Sequence, residues 1–336
     1  VTGGRSIRAS LRVNCRDHFD EGEEEHGMTT VKEVSRDDLR RGFGELGLRP
    51  GQTVLVHSAM RTLGRVAGGA DAVVDVLLEI IGPTGTLVVP AYTFAHEAEA
   101  DPIIDPRHDR SEMGAITEAV RLRPDARRST AFRHSFAAVG RRADLLAGVD
   151  PALSPFDFRS AFGVMLGLNT QVILLGVTYT SSTSHHFGEL VAEVPYRQTI
   201  PKLVKVRAAD GSVSTQPMVD YQPKSSGGSY YGTRSPDFNR LGLMLERRGL
   251  VSRSFVGNAA VRRFAMRDLI DLVEIEAARD YNVFRTAEGD VGNYSPLDFG
   301  LSVMSPEFPD GAGRVHDVQW CVRDLDALEL PPARKA

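Results

Sequence analysis

The chain has 336 residues, 42% of them hydrophobic, and a formal net charge of -4 at pH 7. That is ample apolar material for one large α/β domain or two smaller ones, and the charge balance lacks the basic footprint of a nucleic-acid binder. No apolar run is long enough to span a bilayer, and two cysteines, Cys15 and Cys321, are too few for a disulfide framework, so a reducing cytoplasm is the expected setting.

Residues 1–27 differ in character from the rest of the chain. Residues 5–16 are basic and poor in apolar side chains, Glu21, Glu23, Glu24 and Glu25 form an acidic cluster, and Met28-Thr29-Thr30 looks like a start of translation. The expectation is a disordered leader over residues 1–30 and a folded domain over 31–285. Residues 286–336, rich in Gly and Pro from Glu288 onward, form an extension packed on the domain or trailing it.

The domain opens with a helix capped by Ser35, with Asp37 and Asp38 in its first turn. Residues 53–57 (TVLVH) read as a strand running into Ser58-Ala59-Met60-Arg61-Thr62, then Gly68-Gly69, then a helix over 71–81. Strand, small polar loop and helix offer backbone N–H groups to a phosphate, although an ordinary tight connection has the same pattern. A strand over 86–90 ends at Tyr92, and a polar loop comes next with Asp101, Asp105, His108 and Asp109; without a tight ligand pair it reads as solvated, not as a metal site. Met113-Gly114 opens a helix through Arg121. Residues 132–140 read as a strand in which His134 stands alone among apolar residues, the pattern of a hydrogen-bonded core histidine.

Residues 171–195 (QVILLGVTYTSSTSHHFGELVAEVP) organise the rest. An apolar strand leads into the hydroxyl-rich run 178–184 and then a helix that Ser182 or Thr183 can cap and Pro195 stops. His186, Glu189 and Glu193 then share one stripe. A carboxylate beside an imidazole fixes its tautomer and suits it to act as a general base; a solvated surface pair is the competing reading. Beyond it, 203–206 and 218–221 flank an Asp210-Gly211 turn, a hairpin signal, and helices occupy 238–248 and 266–279. Strands alternating with helices, plus a late hairpin, give an α/β sandwich around a mixed sheet.

Taken in order, VLVHSAMRTLGRVAGGADAVVDVLLEIIGPTGTLVVPAYTF (54–94), SEMG (111–114), HSFAAVG (134–140), SPF (154–156), LLGV (174–177), TSHHFGE (183–189) and VGNA (256–259) resemble the aminoglycoside 3-N-acetyltransferase family. The resemblance implies a three-layer α/β/α sandwich around a mixed, largely parallel sheet, distinct from GNAT-type acetyltransferases. It also implies an acetyl-CoA-dependent acyltransferase that modifies the 3-N position of an aminoglycoside, without a metal, and leaves a homodimer open. The family's Thr-x-x-His-x-x-Glu motif falls on Thr183, His186 and Glu189, and its pantetheine and pyrophosphate loop on His57, Ser58, Ala59, Met60, Arg61 and Thr62, supplemented by Met113 and Gly114. Aminoglycoside-modifying members often carry an acidic residue ahead of the Thr; here the run is Thr178-Tyr179-Thr180-Ser181-Ser182. That departure keeps two alternatives in view, an acyltransferase for another amine in natural-product biosynthesis and a non-catalytic CoA-binding homologue. Position and side-chain character nominate Tyr92, Asp105, Phe162, Tyr179 and Tyr231 for the acceptor side.

Overall fold

Buried side chains alternate along Val54, Leu55 and Val56 between two separate apolar clusters, so this strand lies at the middle of a sheet covered on both faces. The structure, a computed structural model, describes residues 33–224, 234 and 236–286. The chain divides into two units, Val1–Thr30 and Val31–Ala336, and every described residue lies in the second. The expectations for the leader, for Cys15 and Cys321, for Tyr231 and for the extension past Thr286 lie outside the described residues.

The central strands are β1 (Thr53–Ser58), β2 (Thr86–Pro90) and, after the two-residue strands β3 (Ile103–Ile104) and β4 (Arg127–Arg128), β5 (Phe136–Gly140) and β6 (Gln171–Leu175). A long hairpin, β7 (Arg197–Arg207) and β8 (Val213–Pro223), precedes β9 (Ser252–Val256) and β10 (Ala259–Ala265). The main sheet has the order β4-β5-β2-β1-β6-β10-β9. Within this sheet parallel pairing is confined to β2-β1-β6; β5 and β4 on one side, and β10 and β9 on the other, are joined by antiparallel ladders. The sheet is mixed as expected, with fewer parallel ladders than the family resemblance implied.

Helices α1 (Arg36–Glu45), α2 (Gly69–Ile81) and α3 (Ala115–Arg121) cover one face. Helices α4 (Ala143–Ala147), α5 (Ala161–Gly167), α6 (Ser184–Val191), α7 (Asn239–Arg247) and α8 (Met266–Ala277) cover the other. Ser35 and Asp38 close a reciprocal capping box at the start of α1. The hairpin is longer than its apolar cores foretold, pairing Arg197 with Pro223 through to Arg207 with Val213, and it takes β3 as a third strand. The strand expected over 132–140 begins only at Phe136, which leaves Arg133 and His134 outside the ladder just ahead of it.

Candidate active site

Three parallel strands end together, and the chain that leaves each one converges there. β2 delivers Tyr92, β1 delivers the turn Met60–Leu63, and β6 delivers α6. Antiparallel β5 enters at the same edge, since Pro90 pairs with Phe136, which brings His134 to the end of β2. The carboxyl edge of the parallel strands is where sites lie in open α/β sheets. After β6, Gly176 has φ +65°, and a Cβ there would lie 1.7 Å from Thr62 Oγ1; only glycine lets the two loops meet.

The cap expected at α6 is not made. Thr183 has helical backbone angles, and its hydroxyl accepts a hydrogen bond from Tyr92 Oη at 2.9 Å instead. Its own hydrogen is therefore directed elsewhere. The helix also ends earlier than Pro195. Glu193 adopts φ +47°, while Val194 N–H donates to Glu189 O and Glu193 N–H to Leu190 O, a Schellman turn with a non-glycine residue at its left-handed position. Glu193 thus leaves the stripe it was expected to share. The same reversal sends Tyr196 and Arg197 back over the helix onto Glu189.

Four side chains meet at that point. His186 Nδ1 lies 2.6 Å from Glu189 Oε2, and Tyr196 Oη donates to Glu189 Oε1 at 3.1 Å. Arg197 Nε sits 2.9 Å from Glu189 Oε2, misaligned for a hydrogen bond and therefore a coulombic contact, while its Nη2 lies 2.9 Å from His186 Nδ1. The Glu189 side chain is 1% exposed and His186 is 20% exposed, which excludes the solvated surface pair and leaves the imidazole as the reachable member. Around the ring stand Phe238, with centroids 4.9 Å apart, Phe156 at 6.0 Å and His134 at 6.4 Å.

Burial alone would raise the Glu189 carboxyl, but Arg197, His186 and the Tyr196 hydroxyl hold it below the usual carboxylate range. Burial pushes His186 below its ordinary value and the Arg197 cation adds to this, against the opposing pull of Glu189. A neutral imidazole beside an ionised carboxylate is the resting state. Glu189 at 2.6 Å favours a proton on Nδ1, which would leave the lone pair on Nε2, while the Arg197 donor at 2.9 Å from Nδ1 opposes it.

The remaining nominated residues divide. Tyr92 is buried beside Thr183 and His134, with ring centroids 5.0 Å apart in the second pair. Two nominations are corrected: Tyr179 is 0% exposed, its hydroxyl donating to Glu246 Oε1 at 2.6 Å and its ring resting on Gly242, and Phe162 is sealed between Phe156 and Phe187. Both are core residues, out of reach of any acceptor. Asp105 ties its own loop together through His108 Nδ1 at 2.9 Å. At the end of β1 and in the turn after it, His57 and Thr62 are buried, Thr62 Oγ1 donating to Ala59 O; Ser58, Ala59 and Met60 are half-buried and Arg61 is exposed. Met113 N–H is held by Ser111 Oγ, and Gly114 turns with φ +109° into α3. A groove of about 1000 Å³ runs from there along α3, lined by Gly114, Glu118, Asp71, Arg110 and Arg123. His134 is buried with Nδ1 unpartnered, so it packs by ring contact and not as the hydrogen-bonded core residue expected. Tyr196 and Arg197 were missed altogether; the signal available was an aromatic and a cation directly after Pro195, just past the end of the helix.

The model of the family described as aminoglycoside 3-N-acetyltransferase matches residues 55–275. The chain belongs to that family. The aminoglycoside N(3)-acetyltransferase VII of Streptomyces paromomycinus is 31% identical over 264 residues, 71% of this chain and 89% of that protein. The crystal structure of the aminoglycoside acetyltransferase AAC(3)-Xa superposes with a TM-score of 0.63 at 28% identity, covering 72% and 91% of the two chains. AAC-IIIb, solved as a binary complex with CoASH, shares the fold at 20% identity, with a TM-score of 0.64 over 74% of this chain and 97% of that one. The aminoglycoside 3-N-acetyltransferase match encloses the whole cluster, from His57 to Arg197, and places it in a family of acyltransferases.

Proposed function

We propose that the chain transfers an acetyl group from acetyl-CoA to an amino group of an aminoglycoside, at the 3-N position, by direct transfer. One observation carries the mechanism: the His186–Glu189 contact of 2.6 Å, with its carboxylate buried and its imidazole reachable. An amine is protonated at neutral pH and must lose a proton before it can attack a thioester. His186 Nε2 accepts that proton, directly or through a water, while Glu189 stabilises the resulting imidazolium. The N–C bond forms, the C–S bond breaks, the nitrogen's second proton passes to the thiolate leaving group, and the proton held by His186 is released to solvent. Thr183, its oxygen already occupied by the Tyr92 hydrogen bond, donates its own hydrogen to the developing oxyanion. The turn after β1 and the groove along α3, with Arg110 and Arg123 at its rim, hold the pantetheine and phosphate portions of the donor.

The decisive experiment is thiol release from acetyl-CoA across a panel of aminoglycosides and simpler amines. Turnover with aminoglycosides, abolished in His186→Ala, is the expected result. Turnover with other amines alone favours the second reading, which rests on the lack of a carboxylate in the run 178–182. Tight CoA binding without turnover overturns catalysis.

A further inference from the structure

Arg197 occupies a position that the general-base scheme does not account for. A guanidinium can only donate and an ionised carboxylate can only accept, yet both are set against the same nitrogen, His186 Nδ1, at 2.9 and 2.6 Å. One hydrogen cannot satisfy both. If Nδ1 carries the proton, it bonds Glu189 and faces Arg197 as a donor facing a donor. If Nδ1 is bare, it accepts from Arg197 and its lone pair is thrust at a carboxylate oxygen 2.6 Å away. The shorter, charge-assisted contact decides for the proton on Nδ1. Arg197 then neutralises Glu189 through Nε at 2.9 Å and opposes a second proton on the ring.

We propose that Arg197 is a positioning residue that keeps Glu189 ionised and His186 neutral, so that Glu189 can hold the single ring proton on Nδ1 and Nε2 is ready to accept a proton near neutral pH. Glu189 alone would draw a second proton onto His186 and spoil the base before the amine arrives. Arg197 is well placed to do this, being 7% exposed and so unscreened, and its guanidinium carbon lies 5.6 Å from the Tyr221 ring centroid. The other titratable groups facing the pair leave this assignment intact. His134 is held neutral by burial, as is His185 on the same helix. The Tyr196 and Tyr221 hydroxyls are pushed up by burial and stay protonated. Arg133 pairs with Asp220 and Glu97, and Arg285 lies over the Tyr196 ring at 4.2 Å.

The role rests on the acyl-transfer reading, but its first test does not. In the full-length chain carrying ¹⁵N-labelled histidine, without substrates, His186 is expected as the Nδ1–H tautomer, titrating below free imidazole. In Arg197→Gln the His186–Glu189 pair is expected to take up its proton at higher pH, and in Arg197→Lys near the wild-type pH. An Nε2–H tautomer in the wild type, or a titration unmoved in Arg197→Gln, overturns the proposal; the wild-type spectrum decides even if the variant fails to fold. The second test is kinetic. The kcat/KM of Arg197→Gln should fall about tenfold or more at pH 6 and recover as the pH is raised, whereas a loss equal at every pH means structural damage and overturns the assignment. If no amine is acetylated while the tautomer and titration are as expected, the acyl-transfer reading falls and the role of Arg197 in setting the pair stands.

Discussion

Two buried carboxylates in this fold have nearly the same companions and opposite characters. Glu189 meets Arg197, Tyr196 and His186. Glu246 meets Arg262 at 3.1 Å, Arg253 at 3.4 Å and the hydroxyl of Tyr179 at 2.6 Å. Glu189 is held below the usual carboxylate range, whereas burial raises Glu246 despite its two arginines, one of them screened by solvent. The decisive difference is the third partner. His186 can take up a proton and is reachable, while Tyr179 is sealed and burial keeps its hydroxyl protonated. Burying a carboxylate with an arginine makes an anchor, and adding an accessible imidazole makes a base.

The largest expected effect separates the two clusters by activity. His186→Ala should lower the acetylation rate by about two to four orders of magnitude with little change in melting temperature. Tyr179→Phe, which removes one hydrogen bond to Glu246, should leave turnover essentially intact and cost about 1–3 kcal/mol in stability, read by denaturant unfolding. Comparable rate losses in both variants would erase the distinction.

Arg262→Met tests the anchor directly. Both Arg262 and Glu246 are 3% exposed, so removing the cation strands a buried carboxylate, at about 3–5 kcal/mol in chemical denaturation. A smaller loss would show that Arg253 and Tyr179 suffice to hold Glu246.

Much of this contrast was legible in the chain and part of it was not. The i,i+3 spacing of His186 and Glu189 put them on one helical turn, and the strand before them put that turn at the sheet edge. Tyr179 was misassigned because proximity in sequence to the motif says nothing about direction. The short helical turn Tyr179–Ser181 drives the ring onto Gly242, where any Cβ would come within 2.1 Å of it. Arg197 was hidden for a different reason. Its approach to Glu189 depends on a left-handed Glu193, and non-glycine residues give little warning of that conformation. His134 joins the site only because β5 runs antiparallel to β2, a pairing set by the whole sheet and not by any local pattern.

Acid sharpens the comparison between the neighbouring histidines of α6. Burial holds His57 and His185 down to about 3, and lowers His134 and His186 as well. Unfolded, each returns to about 6.5. Between those limits the unfolded chain binds more protons, so stability rises with pH and is lost as pH falls below about 6.5, at up to about 1.4 kcal/mol per pH unit per histidine. Calorimetry between pH 7 and 5 should show the falling melting temperature. His185→Gln should flatten that slope without removing acetyl transfer, whereas His186→Ala removes transfer first.

The smallest expected effect lies at the rim of the base. Tyr92→Phe deletes the hydrogen that Thr183 Oγ1 accepts, leaving both rings and the His186–Glu189 contact in place. If the tyrosine aims the threonine at the oxyanion, kcat should drop about three- to tenfold with KM nearly constant, because the lost interaction matters most in the transition state. Thr183→Val should drop it further, and the double variant no further than Thr183→Val alone, since Tyr92 acts through that hydroxyl. Additive losses would mean that Tyr92 reaches the reacting groups by its own contact, and the oxyanion role of Thr183 would then lose its structural support.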